Sequence, residues 1–353
     1  MAAAAPTWSA AVNTDIERAR LLTLNPSGST PIDVDQPPNP DTSSGDFLAD
    51  YPAACRQLGV APHPRLAVHA NILEVFGFAL DLGTARALSL CLPANTTLTT
   101  VHFWNAGLSC EVLRLLSATI CRPSCAITRL HIDWNPLKSE GDAGAAFASL
   151  VGPKSPLKIL TLRGNQLTDA AAHPILDAVG EGGQLAALNL STNLLGPDTA
   201  TQVGLLLRGD RTLQSVSLSH NPVGDAGLVA ILAAMRPFPL EPAEVKNAKK
   251  FLPRGKIPAT GQACCTGNNV LRHLAVSFAQ IGDQGALAAI ETCKENATLA
   301  RIILKNNRVI TQPALEQIAD ANIERIVADP PRRSLIDDAL EMQSDAEPSV
   351  QPT

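Results

Sequence analysis

Residues 157–169 read LKILTLRGNQLTD. Leu or Ile stands at 157, 159, 160, 162 and 167, with Arg at 163 and Asn at 165. The Leu160–Leu162 step alternates with period two, as a half-buried strand does. The Asn follows where such a strand must turn. Its amide can both donate to and accept from backbone groups that would otherwise be buried and unpaired. The rest of the chain decides whether Arg163 and Asn165 are a chemical site or parts of a spacing rule.

The same pattern, L-x-x-L-x-L-x-x-N-x-L, recurs as ITRLHIDWNPL from 127, LAALNLSTNLL from 185, LQSVSLSHNPV from 213 and LARIILKNNRV from 299. Weaker copies start at Leu98 (LTTVHFWNAGL) and Leu271 (LRHLAVSFAQI), and a degenerate one at Ile72 (ILEVFGFALDL). Successive starts are 26, 29, 30, 28, 28, 58 and 28 residues apart. The long step holds one unit plus an insertion. The second half of each unit reads as an amphipathic helix: Gly224–Gly227 leads into LVAILAAM, with Leu228, Ile231, Leu232 and Met235 on one face. Pro197 suits a helix start. A strand plus a full helix per unit of about 28 residues resembles the leucine-rich repeat, in its ribonuclease-inhibitor-like form. The fold class expected is therefore α/β: a horseshoe solenoid of about eight repeats, with an inner parallel sheet and outer helices. No unit can bury its apolar face alone, so the stack folds through its neighbours.

Composition agrees. The chain is 45% hydrophobic but only 3% aromatic, which suits thin layers of Leu, Ile, Val and Ala. A net charge of −5 and a pI near 5.8 favour neither a nucleic-acid partner nor an anionic membrane. The eight Cys show no repeated paired spacing, and the Cys121/Cys125 pair has no counterpart to complete a zinc knuckle. The start MAAAAPTWSA lacks a secretory signal's basic region and apolar run, and Ala2 excludes N-myristoylation. No apolar run approaches the roughly 18 residues of a membrane span. A soluble, cytoplasmic protein is expected.

Residues 1–46 read as a flexible tail and 47–71 as an N-terminal cap, with a helix from residue 47 capped by Asp46. The repeats run over 72–328, where IERIVA (323–328) supplies a last partial strand, and 329–353 is a C-terminal tail. The insertion, 238–268, carries Lys246, Lys249, Lys250, Arg254 and Lys256. That run is either a solvated loop or a docking segment for an acidic partner surface.

The template sends its x positions to the concave face. These are His102 and Trp104; Arg129, His131 and Asp133; Ile159, Thr161 and Arg163; Asn189 and Ser191; Ser215, Ser217 and Ser219; His273, Ala275 and Ser277; and Arg301, Ile303 and Lys305. The first half is aromatic and imidazole-bearing, the middle short and hydroxylated. His102 and His131 fall on the same position of adjacent units, with Cα atoms expected about 5 Å apart and Asp133 close by. Two imidazoles and a carboxylate suit a metal or acid–base chemistry, but an open sheet face supplies neither a further ligand nor a cleft. Protein contact is the favoured reading for His102, Trp104, Arg129, His131, Asp133 and Arg163. Trp134 either packs into its turn or joins the contact. Asn135, Asn165, Asn193, Asn221 and Asn307 form a structural ladder; the turns with Ala106 and Ala279 at that position should be looser. No phosphate loop, nucleophile elbow or H-E-x-x-H is present, so neither a catalytic residue, a cofactor nor a small-molecule substrate is expected.

SLCLPANTTLTTVHFWNAGL at the entry to the repeats, IGDQGALAAI after the GNNVLRHLAVS restart, and an interruption after GDAGLVAILAAM followed by AEVKNAKKFL together resemble the leucine-rich repeat-containing protein 71 family. The resemblance covers about residues 86–310; the insertion here is shorter than the family's. It implies a non-enzymatic, protein-binding role in the axoneme of the cilium or flagellum, with a place in the central apparatus and axonemal subunits of a large assembly as partners. Competing expectations are a Ran-type GTPase-activating protein, which has the same repeat class but a longer acidic tail, and a cytosolic adaptor or inhibitor.

Overall fold

A computed structural model describes residues 44–137, 143–239, 264–321 and 323–330. Most of the N-terminal tail, the insertion from 240 to 263 with its Lys246, Lys249, Lys250, Arg254 and Lys256, and the tail from 331 lie outside the described residues.

Helix α1 (Phe47–Leu58) opens the described chain. The Asp46 carboxylate accepts from the Leu48 amide at its start, and left-handed Gly59 closes it. Ser44 and Gly45, placed in the tail by sequence, are held: Ser44 and Gly45 donate to Asp50, and Asn95 donates to the Gly45 carbonyl. A hairpin follows, β1 (Leu66–His69) antiparallel to β2 (Ile72–Phe76). Strands and helices then alternate: α2 (Leu82–Cys91), β3 (Thr100–Trp104), α3 (Cys110–Ile120), β4 (Arg129–Asp133), α4 (Ala143–Ala148), β5 (Ile159–Thr161), α5 (Asp169–Gly180), β6 (Ala187–Asn189), α6 (Pro197–Gly209), β7 (Ser215–Ser217) and α7 (Gly224–Ala233). Beyond the short pair β8 (Phe238–Pro239) and β9 (Cys264–Cys265) come β10 (His273–Ala275), α8 (Asp283–Glu295), β11 (Arg301–Ile303), α9 (Gln312–Asp320) and β12 (Ile326–Val327).

The main sheet runs β1-β2-β3-β4-β5-β6-β7-β10-β11-β12 and is parallel from β2 onward. Among the described residues the insertion adds no strand to it. β7 pairs directly with β10, Ser215 opposite His273, and β8 pairs antiparallel with β9 to close the insertion's base. In each unit the template leucines point into the layer between sheet and helices; Leu160, Leu162, Leu188, Leu190, Val216 and Leu218 are all buried. α7 turns Leu228, Ile231 and Leu232 into it, with buried Met235 just beyond. The helices pack closely enough that a Cβ at Gly204 of α6 would sit 2.5 Å from the Ala230 carbonyl oxygen of α7.

The first unit corrects the sequence reading. Ile72 pairs with Thr100, not with the Leu98 to which the template aligns it. Strand side chains repeat every two residues, so a two-residue slip leaves every residue on the same face and the pattern cannot detect it.

At each corner after the strand the ladder asparagine is buried. Asn193 Oδ1 accepts from the Asn165 and Leu167 amides of the preceding unit at 3.0 and 3.1 Å, and its Nδ2 donates to the Leu162 and Leu190 carbonyls, both at 2.9 Å. Asn221 serves the Asn193 and Leu195 amides in the same way, Asn165 serves Asn135, and Asn135 serves Ala106. The turns at Ala106 and Ala279 are not looser. Both alanines are fully buried, and their amides bond to Asn135 and Asn307. Each Asn serves the unit before it, so a missing one is felt upstream. With no acceptor at 279, the Val223 amide bonds to the Asn221 carbonyl and Gly224 takes φ +66°.

Asn193→Ala strands two amides and leaves two carbonyls without this donor in a dry corner, and should lower the unfolding free energy by about 2–4 kcal/mol. Urea denaturation followed by circular dichroism measures it; a change below about 0.5 kcal/mol would remove the ladder from the account of stability.

Candidate protein-binding face

The strand register arranges the concave side chains in rows. One row runs Glu74, His102, His131, Thr161, Asn189, Ser217, Ala275 and Ile303 across adjacent strands. The next begins Phe76, Trp104, Asp133. The six residues predicted for contact therefore sit together on β3, β4 and the turn after β5, except that Arg129 stands at the opposite end of β4.

A polar network links them. His102 Nε2 lies 3.2 Å from Asp133 Oδ2, a contact short enough for charge attraction but poorly aligned for a hydrogen bond. His102 Nδ1 is 3.9 Å from Glu74 Oε1. Thr161 Oγ1 donates to Asp133 Oδ1 at 2.9 Å and lies 3.1 Å from His131 Nδ1; the Arg163 amide adds a longer bond to Asp133. Burial raises the Asp133 carboxyl, but the His102 and Thr161 side chains and the Arg163 amide outweigh it and hold it below the usual range. Burial pushes the His131 imidazole down, and the neighbouring His102 pushes it the same way.

Aromatic rings frame this network. Phe76 meets His102 at 6.2 Å and Trp104 at 6.5 Å, both edge to face, and the His102 and His131 rings stand 5.5 Å apart. Trp104 remains 44% exposed although the sheet flanks it. Trp134 packs into its turn and stays partly exposed. It takes a left-handed backbone, φ +58°, and lies so close over Gly164 that a Cβ there would sit 2.6 Å from its ring, yet it is 39% exposed. The Arg163 guanidinium lies 5.9 Å from the centre of that ring.

Sequence reasoning missed Glu74 and Phe76, because the concave positions were read only from the unit at Leu98 onward and the degenerate first unit was left out. It also missed two further polar series. Asn95, Asp210, Asn268 and Asn296 stand three residues before the first leucine of a unit, each accepting from that leucine's amide. Asp169, Asp225 and Asp283, in the first turns of their helices, accept amides at the start of the next helix. The signals were present as N/D-x-x-L and T/G-D spacings.

Among the described residues no three His, Cys, Asp or Glu side chains are grouped to hold a metal ion, and no helix is long and apolar enough to cross a membrane. Cys55, Cys91, Cys110, Cys125, Cys265 and Cys293 are buried free thiols, and Cys121 is a half-buried one. Burial pushes Cys55, Cys121, Cys125 and Cys293 up, and Cys91 up to about 12, so these thiols stay protonated at neutral pH.

The family model for the Leucine Rich repeat matches residues 209–232 and 267–288. The fold is a leucine-rich repeat solenoid. It is 26% identical to mouse ribonuclease inhibitor over 57% of this chain and 42% of that one, and 25% identical to the pig ribonuclease inhibitor over 72% and 49%. Human NACHT, LRR and PYD domains-containing protein 12 is 24% identical over 65% of this chain and 22% of its own length. The solenoid thus spans less than half of each of these relatives.

Because the folded state lowers the proton affinity of His131, the unfolded chain binds more protons between the folded pKa and the unfolded value near 6.5. Stability from this group is present above that window and is lost as pH falls through it. Buried His63, shifted the same way, adds to the effect. The urea midpoint of His131→Asn should fall less than that of wild type between pH 7 and pH 5.5; equal falls would show that His131 does not contribute.

Proposed function

We propose that the solenoid is a non-catalytic protein-binding scaffold and that its concave face makes the contacts. The patch on β2 to β5 carries this reading: Phe76, His102, Trp104 and His131 side by side, with Asp133 and Arg163 beside them and a large aromatic surface left to solvent. Exposed Trp beside Arg is the composition of interface hot spots. An open face without enclosure suits recognition by area more than chemistry on a small substrate. Relatives named as ribonuclease inhibitors are in keeping with a binding role.

The finer reading is a structural subunit of the ciliary or flagellar axoneme, in the cytoskeleton and within the central apparatus. The sequence resemblance over about residues 86–310 supports it. An inhibitor reading has the names of the relatives in its favour and uses the same face. Stimulation of GTP hydrolysis by a Ran-type GTPase is not expected.

A pull-down with the full chain tests the scaffold. Alanine at His102, Trp104, Arg129, His131, Asp133 and Arg163 together should abolish capture of partners that the wild type retains. Trp104→Ala alone should weaken a purified partner by about 2 kcal/mol, a thirty-fold loss. Capture unchanged in the six-alanine protein would sink the concave-face reading. Absence of the tagged chain from the axoneme of ciliated cells would sink the ciliary one.

A further inference from the structure

We propose that the concave face takes an extended, acidic protein segment gripped at two points, a reading that rests on the scaffold role above. The observation is an imbalance of charge. Arg129 projects from β4 and Arg163 from the turn after β5; Arg301 projects from β11 and Lys305 from the turn after it. All four are exposed, and none forms an ion pair with a described residue.

The carboxylates of the face are already engaged. Asp133 is taken by Thr161, the Arg163 amide and the nearby His102. Glu74 faces His102 and His69, and Asp329, beyond β12, accepts from the Asn306 amide. These bonds leave the carboxylates charged but hold them in place; the exposed Arg129, Arg163, Arg301 and Lys305 outnumber Glu74, Asp133 and Asp329, so a chain with a net charge of −5 presents here a small cationic excess. A positive patch selects a negative partner and steers its approach.

The spacing narrows the occupant. From β4 to β11 the sheet order passes β5, β6, β7 and β10. At about 4.8 Å per step Arg129 and Arg301 stand roughly 24 Å apart along the sheet, and Arg163 and Lys305 roughly 19 Å. An extended peptide covers that span in about seven residues at roughly 3.3 Å each. Between them lie short side chains, Asn189, Ser215, Ser217, Ser219 and Ala275, which let a backbone approach and offer it hydroxyl and amide partners. Nucleic acid, with a charge about every 1.7 Å per duplex, would need cations throughout this neutral middle.

Fluorescence anisotropy at low salt tests the idea with a labelled ten-residue probe, two Glu triplets flanking Gly-Ser-Gly-Ser. The probe should bind the full chain, several-fold more tightly than a contiguous Glu hexamer, and weaken as salt rises. A Lys-triplet version should not bind. R129E/R163E and R301E/K305E should each weaken the Glu probe about ten-fold, with circular dichroism and melting temperature confirming the fold. Alanine pairs at the same positions serve if a reversal unfolds the chain. The proposal is overturned if the Glu probe does not bind, if both variant pairs leave its affinity unchanged, if the hexamer binds as well, or if a ten-nucleotide single-stranded DNA binds more tightly. If the acidic probe fails while the six-alanine protein still loses its captured partners, the scaffold reading stands and the acidic occupant falls. If both fail, the concave face is not the binding surface.

Discussion

The solenoid depends on one buried corner. After each strand the backbone turns inside a dry layer, where its N–H and C=O groups have no water and no sheet partner. One carboxamide meets both needs, because it donates through nitrogen and accepts through oxygen. The direction of service matters as much as the chemistry. Asn193 accepts from the unit before its own, and Asn221 accepts from Asn193. A corner is satisfied only when its neighbour is folded against it, so the hydrogen bonds that close a unit also join it to the next. This explains why substitution by Ala at 279 leaves its own turn intact and rearranges residues 221–224 instead.

The same logic is applied at three depths. The ladder asparagines tie the strand exits, Asn95, Asp210, Asn268 and Asn296 tie the strand entries, and Asp169, Asp225 and Asp283 tie successive helix starts. Several of these bonds reach across 57 to 61 residues where the insertion intervenes: Asp225 reaches Gly282 and Gly285, and Asn296 reaches the Met235 carbonyl. These bonds, together with the direct pairing of β7 and β10, keep the stack continuous from one side of the insertion to the other. The ends need other groups. Asn95 reaches the Gly45 carbonyl at one end, and Asp329 takes the Asn306 amide at the other.

What the sequence made legible follows from this repetition. LKILTLRGNQLTD could be divided into recurring and non-recurring residues, and the strands β3 to β7, β10 and β11 fall where the template puts them. Features without a repeat to average over were not legible. The hairpin partner of β2 occurs once, and the two-residue slip of the first unit is silent in a period-two pattern. The network around Asp133 was half visible. The His102–His131 neighbourhood follows from equal template positions, but the Thr161 and Arg163 amide contacts depend on how side chains lean between strands. The charges of 240–263 lie outside the described residues.

Repetition also separates structural from functional information. Inward positions of each strand must be Leu, Ile, Val or Phe, and the corner position must be Asn or a small residue, so these vary little in type. Concave positions carry no such duty, since no helix among the described residues packs on them. Their variation from Trp and His through Ser to Arg and Lys is therefore free to be set by whatever occupies the face. A flat sheet edge cannot enclose a small molecule, and it spreads its polar groups over tens of ångströms. Discrimination on such a surface must come from the spacing between separated anchors, which a ridge of small side chains leaves unobstructed. In this solenoid the anchors are unequal: an aromatic and imidazole cluster with arginines on one side, Arg301 and Lys305 on the other. An elongated partner bound across them has its two ends distinguished, so the face can fix the polarity of what it holds as well as its charge.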